Sequence, residues 1–160
     1  CYPISSFGAH VAARPRTSLK TRGNVAMCGT FGYELDPRKL TDDEKAEVKQ
    51  QIADYRKYHR LVREGDFYRL VSPTENDFYC AWEFVSPDKQ EAMMTAVVMR
   101  QPETRYCVQR LRGLDPKTYY QDEETGTVYS GAMLMNAGLN LTRDVYEDGT
   151  SVTKHFKAVK

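Results

Sequence analysis

Apolar residues between positions 41 and 64 recur every three or four residues, which predicts one long amphipathic helix. Thr41 and Glu44 have the spacing of a capping box, in which each side chain bonds the backbone of the other residue. Gly65 follows the last apolar position and ends the predicted helix. This helix is the clearest element of the sequence. Its apolar positions are Val48, Ile52, Tyr55, His59 and Val62.

The segment before this helix has the pattern of alternating strand and helix. Residues 4–12 are typical of a strand that ends at a loop, and residues 17–28 place apolar side chains on one face of a second helix. Gly23 weakens that second helix, because glycine is a poor helix former. Residues 30–35 form a short apolar run between glycine and a turn, which predicts a buried strand.

After Gly65 the period of the apolar positions changes to two, which is typical of half-buried β-strands. Turn residues separate the predicted strands, and such a series of short strands and turns predicts an antiparallel β-sandwich. The predicted strands are 67–71, 78–84, 92–100, 106–111, 119–120, 127–129 and 151–159.

The strand–helix part is too short to be a complete α/β domain. A (β/α)8 barrel needs roughly 250 residues, and two strand–helix units alone would leave apolar edges uncovered. We therefore expect a further portion to precede Cys1, and we interpret the opening Cys1-Tyr2-Pro3-Ile4 as a cut edge.

The charge balance argues against several kinds of partner. Lys and Arg total 23 against 22 Asp and Glu, so a nucleic-acid partner, which needs a basic excess, is not expected. Arg105, Arg110, Arg112 and Lys117 are interpreted as a solvated face. The sequence has no apolar run long enough to span a membrane and no signal peptide at its first residues, so no membrane partner is expected. The parent protein is predicted to be cytoplasmic.

Four cysteines stand at positions 1, 28, 80 and 107, without the short spacings of a zinc site. We therefore expect no structural metal. Two interpretations of the thiols are open: buried free cysteines of a reducing compartment, or a disulfide between Cys80 and Cys107.

Several long stretches resemble the carboxyl-terminal part of α-galactosidases of glycoside hydrolase family 36. They occur in order and together cover nearly the whole chain. They are RGNVAMCGTFGYELD at 22–36, GDFYRL at 65–70, WEFVS at 82–86, LRGLDP at 111–116 and YSGAMLMNAGL at 129–139. The resemblance implies that residues 1–65 are the last two strand–helix units of a (β/α)8 barrel. Residues 66–160 would then be the antiparallel β-sandwich domain that follows it.

The resemblance also implies an activity. Family members are retaining glycosidases that release terminal α-linked galactose from sugars of the raffinose and melibiose type, with two carboxylates about 5–5.5 Å apart. The family's nucleophile stands in a Lys-x-Asp-x-Asn motif that this sequence lacks, as it lacks the acid/base aspartate motif. We expect both upstream of Cys1, so the 160 residues alone are predicted to be inactive. The resemblance implies no cofactor and a homo-oligomer, namely a tetramer.

Two residues are candidates for the rim of the sugar pocket. His10 is expected at the mouth of its strand, where it can bond a sugar hydroxyl, orient the acid/base aspartate or hold the loop. The segment from His10-Val11 to Thr17 is shorter than the family's, which has an Asn-His-Gln there, so either the loop is shortened or residues are absent from this sequence. Glu34 and Asp36 lie two residues apart near a strand end, so both can face the pocket. Alternatively, Glu34 pairs with an Arg or Lys and Asp36 starts a turn.

Aromatic residues of the second part leave another function open. Trp82 alternates with Phe84 in a phase that predicts the core, and Tyr79 and Tyr129 are expected to be exposed. His59 and His155 are interpreted as packing or surface groups. The alternative function is a stand-alone sugar-binding or oligomerisation module, which would not need the strand–helix part of residues 4–36.

Overall fold

The computed structural model describes residues 3–13, 17–75, 77–103 and 106–159. The predicted cut edge at Cys1, the short loop through residues 14–16 and Arg105 lie at least partly outside these residues. The first part of the chain contains strands β1 (Gly8–Ala12) and β2 (Thr30–Glu34) and helices α1 (Leu19–Ala26) and α2 (Asp42–Glu64). Two short 3-10 turns, Ile4–Ser6 and Pro37–Lys39, complete it.

Strands β1 and β2 are parallel, and α1 connects them. Ser18 caps α1, because its hydroxyl accepts a hydrogen bond from the backbone N–H of Thr21 at 3.1 Å. Ala9 and Val11 of β1 are buried against this helix and form a small core. The strand predicted for residues 30–35 is confirmed as β2, but the burial predicted for it is wrong. The central residues of β2 are only half-buried and its two ends are exposed, because one face of the strand pair is open.

Helix α2 confirms the capping box. Thr41 Oγ1 accepts from the N–H of Glu44 at 3.2 Å, and Glu44 Oε2 accepts from the N–H of Thr41 at 2.9 Å. The predicted apolar face is only partly correct, because His59 is exposed and the middle of the helix is half-buried. The fully buried residues of α2 are Gln51, Leu61 and Val62.

The second part is an antiparallel sheet domain, as the sequence predicts. Its elements are β3 (Asp66–Val71), β4 (Tyr79–Val85), β5 (Glu91–Val98), β6 (Val108–Gln109), β7 (Tyr119–Asp122), β8 (Val128–Ser130), α3 (Gly131–Asn136), β9 (Leu139–Asn140) and β10 (Ser151–Val159). Six strands form one sheet in the order β3-β4-β5-β10-β7-β8, and β6 pairs with β9 in a separate ladder. The sequence predicts neither α3 nor β9, because both are too short to show a period.

Both faces of the six-stranded sheet are covered. On β4, Tyr79, Ala81 and Val85 belong to a core shared with the segment that carries β6, α3 and β9. Trp82 and Phe84 point to the opposite face and pack against Leu61 and Val62 of α2. The core position predicted for Trp82 is confirmed, whereas the exposure predicted for Tyr79 is wrong, because the second face is also buried.

Candidate functional site

The parallel strands β1 and β2 have one face packed on helices and one open face. Residues opposite each other in a parallel pair share a face, and the register pairs His10 with Gly32 and Ala12 with Glu34. These side chains lie on the face that the helices leave open, since Ala9 and Val11 point to α1. The two predicted pocket-rim residues, His10 and Glu34, are therefore on the same surface.

His10 and Glu34 are joined by a hydrogen bond. The distance from His10 Nδ1 to Glu34 Oε1 is 3.0 Å. The imidazole lies across β2 at Gly32, where a Cβ atom would come within 2.9 Å of His10 Cδ2 and 3.3 Å of Nε2. Glu34 thus pairs with an imidazole, and within the described ranges the alternative pairing with an Arg or Lys is not found.

Asp36 does not take part in this pair. Its Oδ1 and Oδ2 atoms accept from Arg38 Nε and Nη2 at 2.9 and 3.0 Å, and Oδ1 also accepts from the Arg38 backbone N–H. These bonds from Arg38 lower the pKa of Asp36. The interpretation of Asp36 as the start of a turn is confirmed, since it caps the 3-10 turn Pro37–Lys39.

A buried glutamine supports the strand pair from the helix side. Gln51 Oε1 accepts from the Tyr33 hydroxyl at 2.9 Å, and Gln51 Nε2 donates to the carbonyl of Leu19 at 3.1 Å. Gln51 also explains Gly23, because a Cβ atom there would lie 2.5 Å from Gln51 Nε2. The sequence gives no signal for this network except the glycine inside a predicted helix.

Two more contacts fix the strands in place. The rings of Phe31 on β2 and Tyr55 on α2 stack with centroids 5.1 Å apart. Arg22 of α1 donates from Nη1 to the carbonyl of Ala12, at the carboxyl end of β1. The backbone that carries the His10–Glu34 pair is thus held from both helices.

Hydrogen bonds connect α1 to the sheet domain. The Ser151 hydroxyl at the start of β10 donates to Thr21 Oγ1 at 3.0 Å and accepts from Asn24 Nδ2 at 2.9 Å. These residues are 127 to 130 positions apart in sequence, and no local pattern predicts their contact.

A cluster of charged side chains connects α2 to the sheet domain. His155 is buried, with Nδ1 2.7 Å from Glu123 Oε2 and Nε2 2.5 Å from Glu91 Oε1. The Tyr58 ring of α2 packs on the imidazole at 4.4 Å. Lys57 of α2 reaches the same Glu123 oxygen at 2.6 Å. The prediction of a packing role for His155 is confirmed in part, because the residue is both packed and ion-paired.

The remaining candidates lie away from the open face. Cys28, Cys80 and Cys107 are free thiols whose pKa burial raises, so the Cys80–Cys107 disulfide does not form. His59 is exposed, and Tyr129 is half-buried and not exposed as predicted. In the described part of the chain, no group of three or more His, Cys, Asp or Glu side chains could hold a metal ion. None of the helices described is long and apolar enough to cross a membrane.

The fold defines the class of protein: a parallel strand–helix unit followed by an antiparallel sheet domain. Residues 1–65 match the family model named Melibiase, and residues 79–156 match the model of the glycosyl hydrolase family 36 C-terminal domain. The chain belongs to glycosyl hydrolase family 36.

Sequence similarity to named α-galactosidases supports this family assignment. The chain is 49% identical to α-galactosidase AgaA of Geobacillus stearothermophilus over 147 residues, covering 88% of this chain and 20% of that protein. It is 44% identical to the bifunctional α-galactosidase/sucrose kinase AgaSK of Mediterraneibacter gnavus, covering 88% of this chain and 16% of the relative. The chain thus spans about a fifth of the length of these relatives.

A solved structure of an AgaA variant in complex with raffinose matches 99% of this chain and 23% of its own chain, with a TM-score of 0.93 and 45% identity. A second variant of AgaA, in complex with stachyose, matches the same shares with a TM-score of 0.90 and 46% identity. The likeness therefore extends over both parts of the chain.

Proposed function

We propose that this chain is the carboxyl-terminal part of a retaining α-galactosidase that releases terminal α-linked galactose from oligosaccharides of the raffinose and melibiose type. The observation that carries the proposal is the match of 99% of the chain to the raffinose complex of AgaA, with a TM-score of 0.93. A likeness at 45% identity supports a shared activity as well as a shared fold.

In this proposal residues 1–65 are the last two strand–helix units of the (β/α)8 barrel, and residues 66–160 are a β-sandwich domain. The parallel pairing of β1 and β2 supports the first assignment, since helices cover only one face of the pair. The six-stranded sheet shares a core with the segment that carries the β6–β9 ladder, which supports the second.

The catalytic carboxylates belong to parts of the barrel outside this chain. In a (β/α)8 barrel the helices lie outside, so the open face of β1 and β2 turns to the barrel interior. Catalytic and binding groups gather at the carboxyl ends of the strands, where Glu34 ends β2. His10 and Glu34 are therefore the residues that this chain contributes to the pocket rim. The tetramer and the cytoplasmic location stay predictions.

The alternative, a stand-alone β-module, has less support. Trp82, Phe84 and Met93 of the sheet are buried against Leu61 and Val62 of α2. Without residues 3–65 this apolar face would be open to water, which a free module avoids. The strand–helix part is therefore interpreted as integral to the fold.

A graft tests the proposal. The matching carboxyl-terminal segment of AgaA is replaced by this chain, and hydrolysis of raffinose and of p-nitrophenyl α-galactoside is measured. We expect the graft to turn over both substrates and the isolated 160 residues to turn over neither. A folded graft without activity, or ordinary turnover by the isolated chain, contradicts the proposal. Unmodified AgaA, prepared in parallel, is the control.

A further inference from the structure

We propose that Glu34 and His10 form a sugar-recognition dyad, in which Glu34 orients the imidazole and His10 Nε2 contacts a hydroxyl group of the bound α-galactoside. This inference rests on the proposed function and deepens it, because it gives the two rim residues separate roles. Glu34 is the positioning residue and His10 is the residue that touches the substrate.

The geometry leaves only one nitrogen of His10 for a ligand. Nδ1 is engaged by Glu34 Oε1 at 3.0 Å, so Nε2 is the nitrogen that the rest of the described chain leaves for a ligand. Gly32 lets the ring lie across β2, since a Cβ atom at that position would come within 3.3 Å of Nε2 and 2.9 Å of Cδ2. A side chain at position 32 would push the ring away, so the orientation depends on this glycine.

Both members of the dyad lie on an otherwise small-residue surface. Within these 160 residues the side chain of His10 is 46% exposed and that of Glu34 is 66% exposed, and Glu34 ends β2, the end of a barrel strand where binding groups gather. Their neighbours on the open face are Gly8, Ala12, Thr30 and Gly32. His10 and Glu34 are therefore the long polar side chains that this surface offers.

The chemistry of the pair suits a sugar hydroxyl. When Nδ1–H donates to a carboxylate, the neutral imidazole carries a lone pair on Nε2, and a hydroxyl group can donate to it. A carboxylate is a strong acceptor for a neighbouring hydroxyl as well. An imidazole oriented in advance loses less entropy when the sugar binds.

The first experiment uses the AgaA graft, three variants of the dyad and one control variant. His10→Asn keeps a polar atom near the Nδ1 position but none at Nε2, whereas His10→Gln places its amide near Nε2. We expect His10→Asn and Glu34→Gln to lower kcat/KM by about ten- to a hundredfold and His10→Gln to restore part of the loss. Asp36→Asn is the matched control, because that carboxylate binds Arg38, and we expect little change. If His10 only holds the strands together, the polar atom that His10→Asn keeps near Nδ1 is sufficient. The His10→Asn variant then retains its kcat/KM, and this result overturns the dyad.

The second experiment asks whether His10 touches the sugar. Galactosides that each lack one hydroxyl are assayed with the graft and with its His10→Asn variant, as a double-mutant cycle between protein and substrate. For one deoxy substrate we expect no further loss of kcat/KM in the His10→Asn variant, because that substrate lacks the hydroxyl group that His10 contacts. Additive losses for every deoxy substrate overturn the contact.

The imidazole ¹⁵N signals of His10 in this chain test the positioning role of Glu34 separately from the sugar contact of His10. Glu34→Gln is expected to shift the His10 signals, because the tautomer is no longer fixed by a carboxylate, and unchanged signals contradict the positioning role. An inactive unmodified graft overturns the proposed function and the sugar contact together. An active graft that tolerates Glu34→Gln and His10→Asn overturns the dyad alone.

Discussion

Lys57 donates from Nζ to Glu123 Oε2 at 2.6 Å, which ties helix α2 to the turn that follows strand β7. Burial by itself raises the pKa of Glu123, but hydrogen bonds from Lys157, Lys57 and His155 outweigh it and lower the pKa to about 2. Glu123 is therefore a charged anchor between the two parts of the chain. His155 belongs to the same cluster, between Glu123 and Glu91.

The first prediction concerns Glu123→Gln. A carboxylate whose pKa is lower in the folded state stabilises the fold above its unfolded value of 4.5, and this stabilisation is lost as the pH falls toward about 2. We expect the variant to lose about 1–2 kcal/mol of unfolding free energy at pH 7, since the group is partly solvated. The loss should shrink below pH 4.5 in urea titrations. Glu75→Gln, at an exposed turn, is the control. An equal loss of unfolding free energy in Glu123→Gln at every pH would contradict the role of Glu123 as an anchor.

The second prediction concerns Glu83, whose carboxylate is fully buried in the sheet domain. One oxygen accepts from the backbone N–H of Arg112, and the other, Oε2, has no hydrogen-bond partner among the described residues. Burial raises the pKa of Glu83 from 4.5 to about 8, although the Arg112 bond lowers it in part.

The sign of the pH effect follows from that shift. Between pH 4.5 and about 8 the folded state holds a proton that the unfolded state has lost, so stability falls as the pH rises through this window. The fall is at most about 1.4 kcal/mol per pH unit. We expect Glu83→Gln to be more stable than the natural chain at pH 8 and similar to it at pH 4. Thermal unfolding of both proteins between pH 4 and pH 8 measures the difference in stability. A difference that is the same at every pH would contradict the prediction.

The third prediction concerns Gly23→Ala. Alanine is the better helix former by about 1 kcal/mol, so helix propensity alone predicts a more stable protein. We expect the opposite, a loss of about 1–3 kcal/mol, because the new Cβ would lie 2.5 Å from Gln51 Nε2 and Oε1. Urea unfolding of both single variants and of Gly23→Ala/Gln51→Ala measures the coupling. Strictly additive losses would show that the two residues do not compete for the same space.

The fourth prediction concerns the dependence of the sheet domain on the strand–helix part. Residues 66–160 expressed alone should be less stable than the full chain and bind a hydrophobic dye, because Trp82, Phe84 and Met93 lose their cover. Circular dichroism and dye fluorescence measure both properties. A fully stable fragment that binds galactosides would favour the stand-alone module.

The sequence by itself determines the elements whose signals are local. The capping box of Thr41 and Glu44 is confirmed, because the two groups lie one helical turn apart and bond within that turn. The last strand has the predicted bounds, Ser151–Val159. The family could also be predicted, since its stretches are long and stand in order.

Only the tertiary structure decides which face of an element is buried and which polar groups meet. Tyr79 and Glu83 are buried because segments far along the chain cover the second face of β4, and an alternating pattern does not carry that information. Gln51 is a polar residue on the buried side of its helix, and only the tertiary structure shows that Tyr33 and Leu19 satisfy its amide there. His10 and Glu34 are 24 residues apart, and the parallel register of β1 and β2 alone brings them within a hydrogen bond. Helix and strand signals depend on neighbours within a turn or two, whereas these contacts depend on where distant segments pack.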